Sequence, residues 1–341
     1  MASTTNSTTL LSTVDQGGGT AISVVHPDII LTHVFTRLDG PTLASAACSS
    51  SQMQALSTEE KLWRDICAST WPSIDHPRLR HVISSFPAGH RSFFSDSFPA
   101  LDHRSKLKNS DRSSLPLELL SAVDVHYKGE LVFSRVYEME TASEWFLWSP
   151  FLVDLLEQKE SIQTPIRLLG EDQEWFKHLE ENLTLSWIVI DPTQKRAANV
   201  SSRRPVSVQR HWLTGDIQLQ FANIMAGDTA SSEFVQCGVV VNCGGKEGGE
   251  MHLREVSLVM EDMEGKHLNG GDSLVILKEA MESGKRKKDR IGEEKKRFEE
   301  YVELKRESRE RKRKRERALD MLCSLTGATL FVTFWYFILF R

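Results

Sequence analysis

The side chains of this chain that could do chemistry are dispersed rather than gathered. His126, His178, His211, His252 and His267 lie far apart, and none stands at metal-ligand spacing from another histidine or a cysteine. Cys48, Cys67, Cys237, Cys243 and Cys323 are odd in number and form no CxxC pair, a usage that fits reduced thiols in cytosol or nucleus. Cys237 and Cys243 flank Val239-Val240-Val241 and read as strand residues, not zinc ligands. Gly244-Gly245 and Gly248-Gly249 surround Lys246-Glu247, but no helix follows to supply the positive terminus of a phosphate cradle, so the segment reads as a flexible loop. A nucleophile elbow, a Walker loop, an HExxH pair and a dinucleotide fingerprint are all absent from the sequence. The expectation is therefore no catalytic residue, no metal and no cofactor, and a function that lies in binding.

The clearest positioning pattern is helical and lies near the N-terminus. Pro27 suits a first helical position, and Ile30, Leu31, Val34, Phe35 and Leu38 recur at helical spacing as one apolar stripe, predicting a helix from about Pro27 to Leu38. Asp39-Gly40 signals a turn, after which Pro41 opens a second helix carrying Leu43, Ala46 and Ala47 inward. Thr58 is the expected N-cap of a third helix, with Leu62, Trp63 and Ile66 on its apolar face. Three short helices in about 45 residues bury too little surface to stand alone, so the unit calls for a partner.

This segment, Val25 to Leu43 followed by Glu60-Lys-Leu-Trp-Arg-Asp-Ile-Cys67, resembles an F-box. Thr70-Trp71-Pro72-Ser73 and Phe86-Pro-Ala-Gly-His-Arg-Ser-Phe-Phe-Ser-Asp-Ser-Phe-Pro99 are similar to a plant subfamily of F-box proteins. The resemblance implies a non-catalytic adaptor that docks on the Skp subunit of a cullin-based ubiquitin ligase. It places Pro27, Ile30, Leu31, Val34, Phe35, Leu38, Leu43, Leu56, Leu62 and Trp63 on the apolar positions that meet Skp. His26 stands where the family has leucine, Ile29 where it has an acid, and the tryptophan expected near Gln52 or Met53 is missing. The alternative these departures leave open is a membrane-anchored scaffold with a degenerate F-box.

From about Leu115 to Leu277 the pattern changes to strands. Glu130–Tyr137, Thr184–Ile190, Asp216–Phe221, Phe234–Val241 and His252–Met260 are β-branched or alternating runs. Asp191-Pro192, Asn242–Gly249 and Asn269–Gly271 read as loops between them, and Pro150–Glu160 as a short helix. An antiparallel, sandwich-like β domain follows, expected to bind an unknown protein substrate. The order of Trp187–Ile190, Ile217–Phe221 and Val256–Met260 distantly resembles the phloem-protein-like lectin domain, although Trp145, Trp148, Trp187 and Trp212 read as core or sheet-edge aromatics.

The far end is dominated by charge and then by its absence. Residues 285–317 hold 17 lysines and arginines against 9 acidic residues, a net of +8 that leaves the rest of the chain near −13. Lys285 to Ser308 reads as a solvated spacer helix with i,i+4 ion pairs. Arg311, Lys312, Arg313, Lys314 and Arg315 suit anionic lipid or, alternatively, nuclear import. Interleaved aromatics are missing, so a nucleic-acid partner is not expected. Met321–Phe340 is 20 residues without a charge, about the ~30 Å of a bilayer core at ~1.5 Å per residue. It is expected to be a single-pass tail anchor with the basic block cytosolic, in the endoplasmic reticulum first, with a nuclear location as the alternative.

The organisation expected is thus α+β: a disordered leader (1–24), a three-helix F-box (25–70), a connecting segment (71–114), a β-rich substrate-binding domain (115–283), a charged basic helix (284–318) and a transmembrane helix (321–340).

Overall fold

The computed structural model describes residues 25–98, 101–102, 115–157, 159–168, 173–229, 232–286 and 292–340. The expected leader and most of the segment between Asp102 and Leu115 lie outside them. The chain divides into two compact units, Met1–Ile66 and Cys67–Arg341.

The first unit begins with α1 (Pro27–Ile29), where Pro27 takes the first position and His26 Nδ1 accepts the Asp28 N–H at 3.3 Å. It passes directly into a π-turn (Ile30–Val34) and a 3-10 turn (Phe35–Arg37), so the predicted first helix exists but is not a uniform α-helix. The π-turn has a consequence for the apolar stripe. Its closing bond runs from the Phe35 N–H to the Ile30 carbonyl, five residues back, which brings Ile30 and Phe35 onto one side. Both are buried, whereas Ile29 and Val34 are 50% and 47% exposed.

α2 (Gly40–Ala47) is capped by Asp39, whose carboxylate accepts the Thr42 N–H at 3.0 Å. Hydrogen bonds from Thr42 hold that carboxyl below its ordinary range. The expectation of three helices is then corrected: α3 (Ser51–Ser57) intervenes, capped by Ser50, before α4 (Glu60–Thr70). Thr58 closes α3 as its C-cap instead of opening α4. Ser50 caps the added α3, its hydroxyl accepting the Met53 N–H at 3.2 Å in an extended backbone setting.

Among the described residues the second unit has three antiparallel sheets. Four strands, β2 (Glu118–Tyr127), β3 (Glu130–Glu140), β6 (Leu183–Asp191) and β7 (Arg196–Asn199), are ordered β3-β2-β6-β7. Six more form the larger sheet: β4 (Leu152–Asp154), β5 (Ile162–Arg167), β8 (Ser207–Arg210), β9 (Ile217–Thr229), β10 (Ser232–Gly245) and β11 (Glu250–Asp262). Its path is β4-β11-β10-β9-β8, with β5 also on β11. Among the described residues β1 (Leu101–Asp102) pairs with β12 (Lys285–Arg286).

One buried cluster serves both large sheets. Leu119, Val123, Trp187 and Val189 come from the four-stranded sheet, Phe221, Val239, Leu258 and Met260 from the six-stranded one, and Leu274, Ile276 and Leu277 from α9 (Gly270–Ser283). Cys237 and Cys243 point into this cluster, and burial pushes both thiols up to about 12, so they act as apolar packing groups.

The expected connecting segment is largely helical over its described residues 71–98. A 3-10 turn (Pro72–Asp75), α5 (Pro77–Ser84) and α6 (Gly89–Ser97) carry Trp71, Phe86, Phe93 and Phe94 into an aromatic cluster with centroid spacings of 5.4–5.9 Å. This layer meets β2, β3 and β7, on the second face of the four-stranded sheet. There Leu120, Ala122, Ile188, Ile190 and Ala197 are buried but belong outside the shared core. Asp96 of α6 holds β7 through Arg196 at 2.8 Å and the Ala197 N–H at 3.2 Å. The plant-type segments at 70–73 and 86–98 therefore build the second unit.

Asp124 of β2 is the buried polar link in that contact. Its carboxylate accepts the Ser73 N–H at 2.9 Å, the Ser73 hydroxyl at 2.5 Å and the Ser134 hydroxyl at 2.7 Å. Burial raises its pKa from 3.8 more than these bonds lower it. Asp124→Ala should cost about 3 kcal/mol in urea unfolding, because three donors lose their acceptor in a dry setting. The pH dependence has a definite sign: a raised folded-state value means stability from this group is full below pH 3.8 and is lost as pH rises through the folded value. The stability of the wild type relative to Asp124→Asn should therefore decline from pH 4 towards neutrality.

Three loop or helix expectations are corrected. Pro150–Glu160 is not a helix: Phe151, Val153 and Leu155 are buried while Leu152 is exposed, a period of two, and β4 pairs with β11. Asn269-Gly270-Gly271 is a helix start, since Asn269 accepts the Asp272 N–H at 2.7 Å and α9 begins at Gly270. The loop expected from Asn242 shrinks, because β10 continues through a bulge at Asn242/Cys243 to Gly245.

The expected charged helix is corrected at its start, where Lys285–Arg286 pairs with β1 as β12, and from Glu293 onward the charged spacer and the apolar segment form one helix, α10 (Glu293–Leu339). Its first turns dock on the β body. Tyr301 is buried with its hydroxyl donating to the Asp262 carbonyl at 3.2 Å, and Lys295 pairs with Glu180 at 2.8 Å. Arg309 donates to the Glu264 carbonyl and Lys312 meets the Glu264 carboxylate, both at 2.8–2.9 Å. Residues 311–340 are exposed, and the apolar tail is not folded into the β domain.

Candidate functional site

The ten residues expected to meet Skp separate into two sets. Ile30, Phe35, Leu43, Leu62 and Trp63 are buried, and the Trp63 indole N–H donates to the Ser57 carbonyl at 2.6 Å. Their part is to hold the helices together. Pro27 and Val34 are exposed, and Leu31, Leu38 and Leu56 are half-buried. Val25, Ile29 and Val34 are the large apolar side chains that this stretch leaves exposed. Sequence spacing joined inner and outer residues into one stripe. The π-turn, which spacing alone does not reveal, separates them.

The second unit offers exposed tryptophans. α7 (Glu144–Trp148) turns Phe146 and Leu147 towards the core cluster and leaves Trp145 and Trp148 80% and 81% exposed. The turn is seated against α9 by a Gly270 N–H bond to the Ser149 carbonyl at 2.9 Å. A β-carbon at Gly270 would lie 2.3 Å from the Phe146 carbonyl oxygen, so only glycine permits the approach. Trp212, between β8 and β9, is 87% exposed. The reading of these three as core or sheet-edge residues is corrected. It holds for Trp187, which is wholly buried and cannot stack on a sugar.

The basic residues Arg311 to Arg315 lie on exposed turns of α10, immediately before the apolar segment. Of these, Lys312 is tied to Glu264, whose hydrogen bond raises its pKa. Among the described residues no three His, Cys, Asp or Glu side chains come together as a metal site.

The description of F-box-like domains matches residues 27–69. F-box protein At2g27310 of Arabidopsis thaliana is 49% identical, spanning 97% of this chain and 100% of its own. The chain belongs to the F-box protein family. Probable F-box protein At2g36090 and F-box protein At3g44326, from the same plant, are 47% and 46% identical over 94% and 86% of the chain. No solved structure matches it. F-box proteins are in general non-catalytic subunits of Skp–cullin–F-box ligases, and the F-box is the module that implies Skp binding. In this F-box protein the matched residues end within α4, and everything from Trp71 onward belongs to the β-sheet unit and its helix.

Proposed function

We propose that this F-box protein is the substrate-recognition adaptor of a Skp–cullin–F-box ubiquitin ligase and works at the cytosolic face of a membrane. The observation that supports the adaptor role is the apolar surface that Ile29 and Val34 leave exposed on the family-matched module, next to half-buried Leu31. Apolar side chains concentrated on one outer face gain by being covered, at roughly 25 cal/mol per Å² buried. The chemistry is proximity: the protein supplies no nucleophile or base, and holding a target beside the charged conjugating enzyme raises the effective concentration of its lysines.

The experiment is a pull-down of purified Skp adaptor by the chain lacking residues 321–340. A fragment ending at residue 114 is unsuitable, because it would strip Trp71, Phe93 and Phe94 of the sheet they cover. Saturable binding supports the ligase adaptor. Absence of binding at micromolar concentrations favours the scaffold reading, to which His26, Ile29 and the missing tryptophan point.

The membrane role rests on α10, one helix long and apolar enough in its last part to cross a bilayer. Arg311 to Arg315 sit where anionic headgroups of the cytosolic leaflet would be, at about 1 kcal/mol per basic residue. From Lys312, the last residue tied to the body, to Met321 is about 13 Å of helix at ~1.5 Å per residue. The β body would therefore stand close to the membrane, on a stalk without a break.

A further inference from the structure

Between the β2–β3 hairpin, β5 and α8 (Gln173–Asn182) lies a cavity of about 460 Å³ lined by Tyr127, Lys128, Pro165, Arg167, Glu174, Trp175 and His178. It is of the size that takes small molecules. Lys128 and Arg167 bring two cations to it, and among the described residues neither has a carboxylate within ion-pair distance. Lys128 instead stands 5.3 Å over the Tyr127 ring. Its backbone has φ +53°, a hairpin position in which its N–H is held by the Asn182 carbonyl at 2.8 Å.

The hydrogen-bond order at the back of the cavity assigns the direction of the Tyr127 hydroxyl. Asn182 Nδ2 donates to the His178 carbonyl at 2.8 Å, which can only accept, and this fixes the amide orientation. The same Nδ2 is 3.2 Å from His178 Nδ1, so Nδ1 accepts and Nε2 carries the ring proton. Nε2 lies 3.0 Å from the Tyr127 oxygen and donates to it. The Tyr127 O–H is thereby left with its own proton to give, beside the two cations.

We propose that this cavity is a binding site for a free small organic anion, a carboxylate or phosphate ester with a compact aromatic or apolar body. Tyr127 O–H, Lys128 Nζ and the Arg167 guanidinium donate to the anionic group, and Trp175 and Pro165 contact the body. Glu174 is the one carboxylate in the lining and opposes a second negative charge. The site is independent of the adaptor reading, since it uses no residue of the F-box.

The test is isothermal titration of the full chain, in a non-ionic detergent, with phenyl phosphate, benzoate and inorganic phosphate. Phenyl phosphate or benzoate should saturate, more tightly than inorganic phosphate. Lys128→Gln and Arg167→Gln should each weaken binding about tenfold and Tyr127→Phe severalfold, the loss expected for one charge-assisted or neutral hydrogen bond. Glu174→Gln should tighten it. This opposition of signs is one that a merely structural role would not produce, and unchanged unfolding midpoints confirm that the variants are folded. Absence of saturable heat up to about 10 mM of every probe, on the affinity scale of weak ligands, or equal affinity in the wild type and the Lys128→Gln/Arg167→Gln double variant, overturns the proposal.

Discussion

A chain carrying Ile29→Asp and Val34→Asp should keep its helices and lose the Skp adaptor. Both side chains are about half exposed on the outer face of the first helical stretch, so two carboxylates there remain in water and cost the fold little. Covered by a partner, each would be a charge without a counter-charge. Truncated or mispaired groups at an interface centre typically cost 2–5 kcal/mol, so the pair should weaken binding by at least about 100-fold. Leu62→Asp with Trp63→Ala should also abolish binding, for a different reason. Leu62 and Trp63 are buried, and removing the indole leaves the Ser57 carbonyl without its donor. That double variant should lose about 4 kcal/mol or more and melt the module. Circular dichroism of both variants beside the pull-down separates the two causes. Undiminished binding by the folded Ile29/Val34 variant would move the adaptor surface elsewhere.

Deleting residues 321–340 should move the protein from the membrane pellet to the soluble fraction, and the intact protein should resist extraction at alkaline pH. Residues 321–340 carry no charge, and their leucine, phenylalanine and valine side chains are exposed, as a bilayer core would require. A single Phe331→Arg should destabilise insertion by about 3 kcal/mol at mid-span and shift a measurable share into the soluble fraction. Release of the intact protein by alkali would refute a span and leave only peripheral attachment through Arg311 to Arg315. A third variant, with those five residues changed to glutamine, should remain membrane-inserted but lose preference for anionic vesicles.

Much of the architecture was legible in the chain because its signals are local. Helical spacing from Pro27 to Leu38, the five β-branched runs and the uncharged last segment each appear where the expected element stands. What escaped reading shares a physical cause. β2 is buried on both faces, by the shared core on one side and the helices of residues 72–97 on the other, so Leu119 to Val125 shows no alternation to mark a strand. The segment from 71 to 98 looks like a connection because its aromatics have no regular period. They gain their partners only when Trp71, Phe93 and Phe94 meet each other and the sheet. α9 was hidden by Gly270 and Gly271, which serve a close approach to Phe146 and Leu147 rather than a loop.

By itself the sequence carried a resemblance to the F-box, which the relatives then bore out, while the lack of a local catalytic motif, the β-rich body and the apolar C-terminal segment follow from residue type and short-range spacing. Tertiary structure alone decided which apolar residues are available. A π-turn sent Ile30 and Phe35 inward and left Ile29 and Val34 outward, packing against α9 pushed Trp145 and Trp148 into solvent, and the meeting of β2, β5 and α8 placed Lys128, Arg167 and Tyr127 around one cavity. Exposure is a property of what packs against a residue, and such contacts join positions far apart in the chain, where no spacing rule reaches.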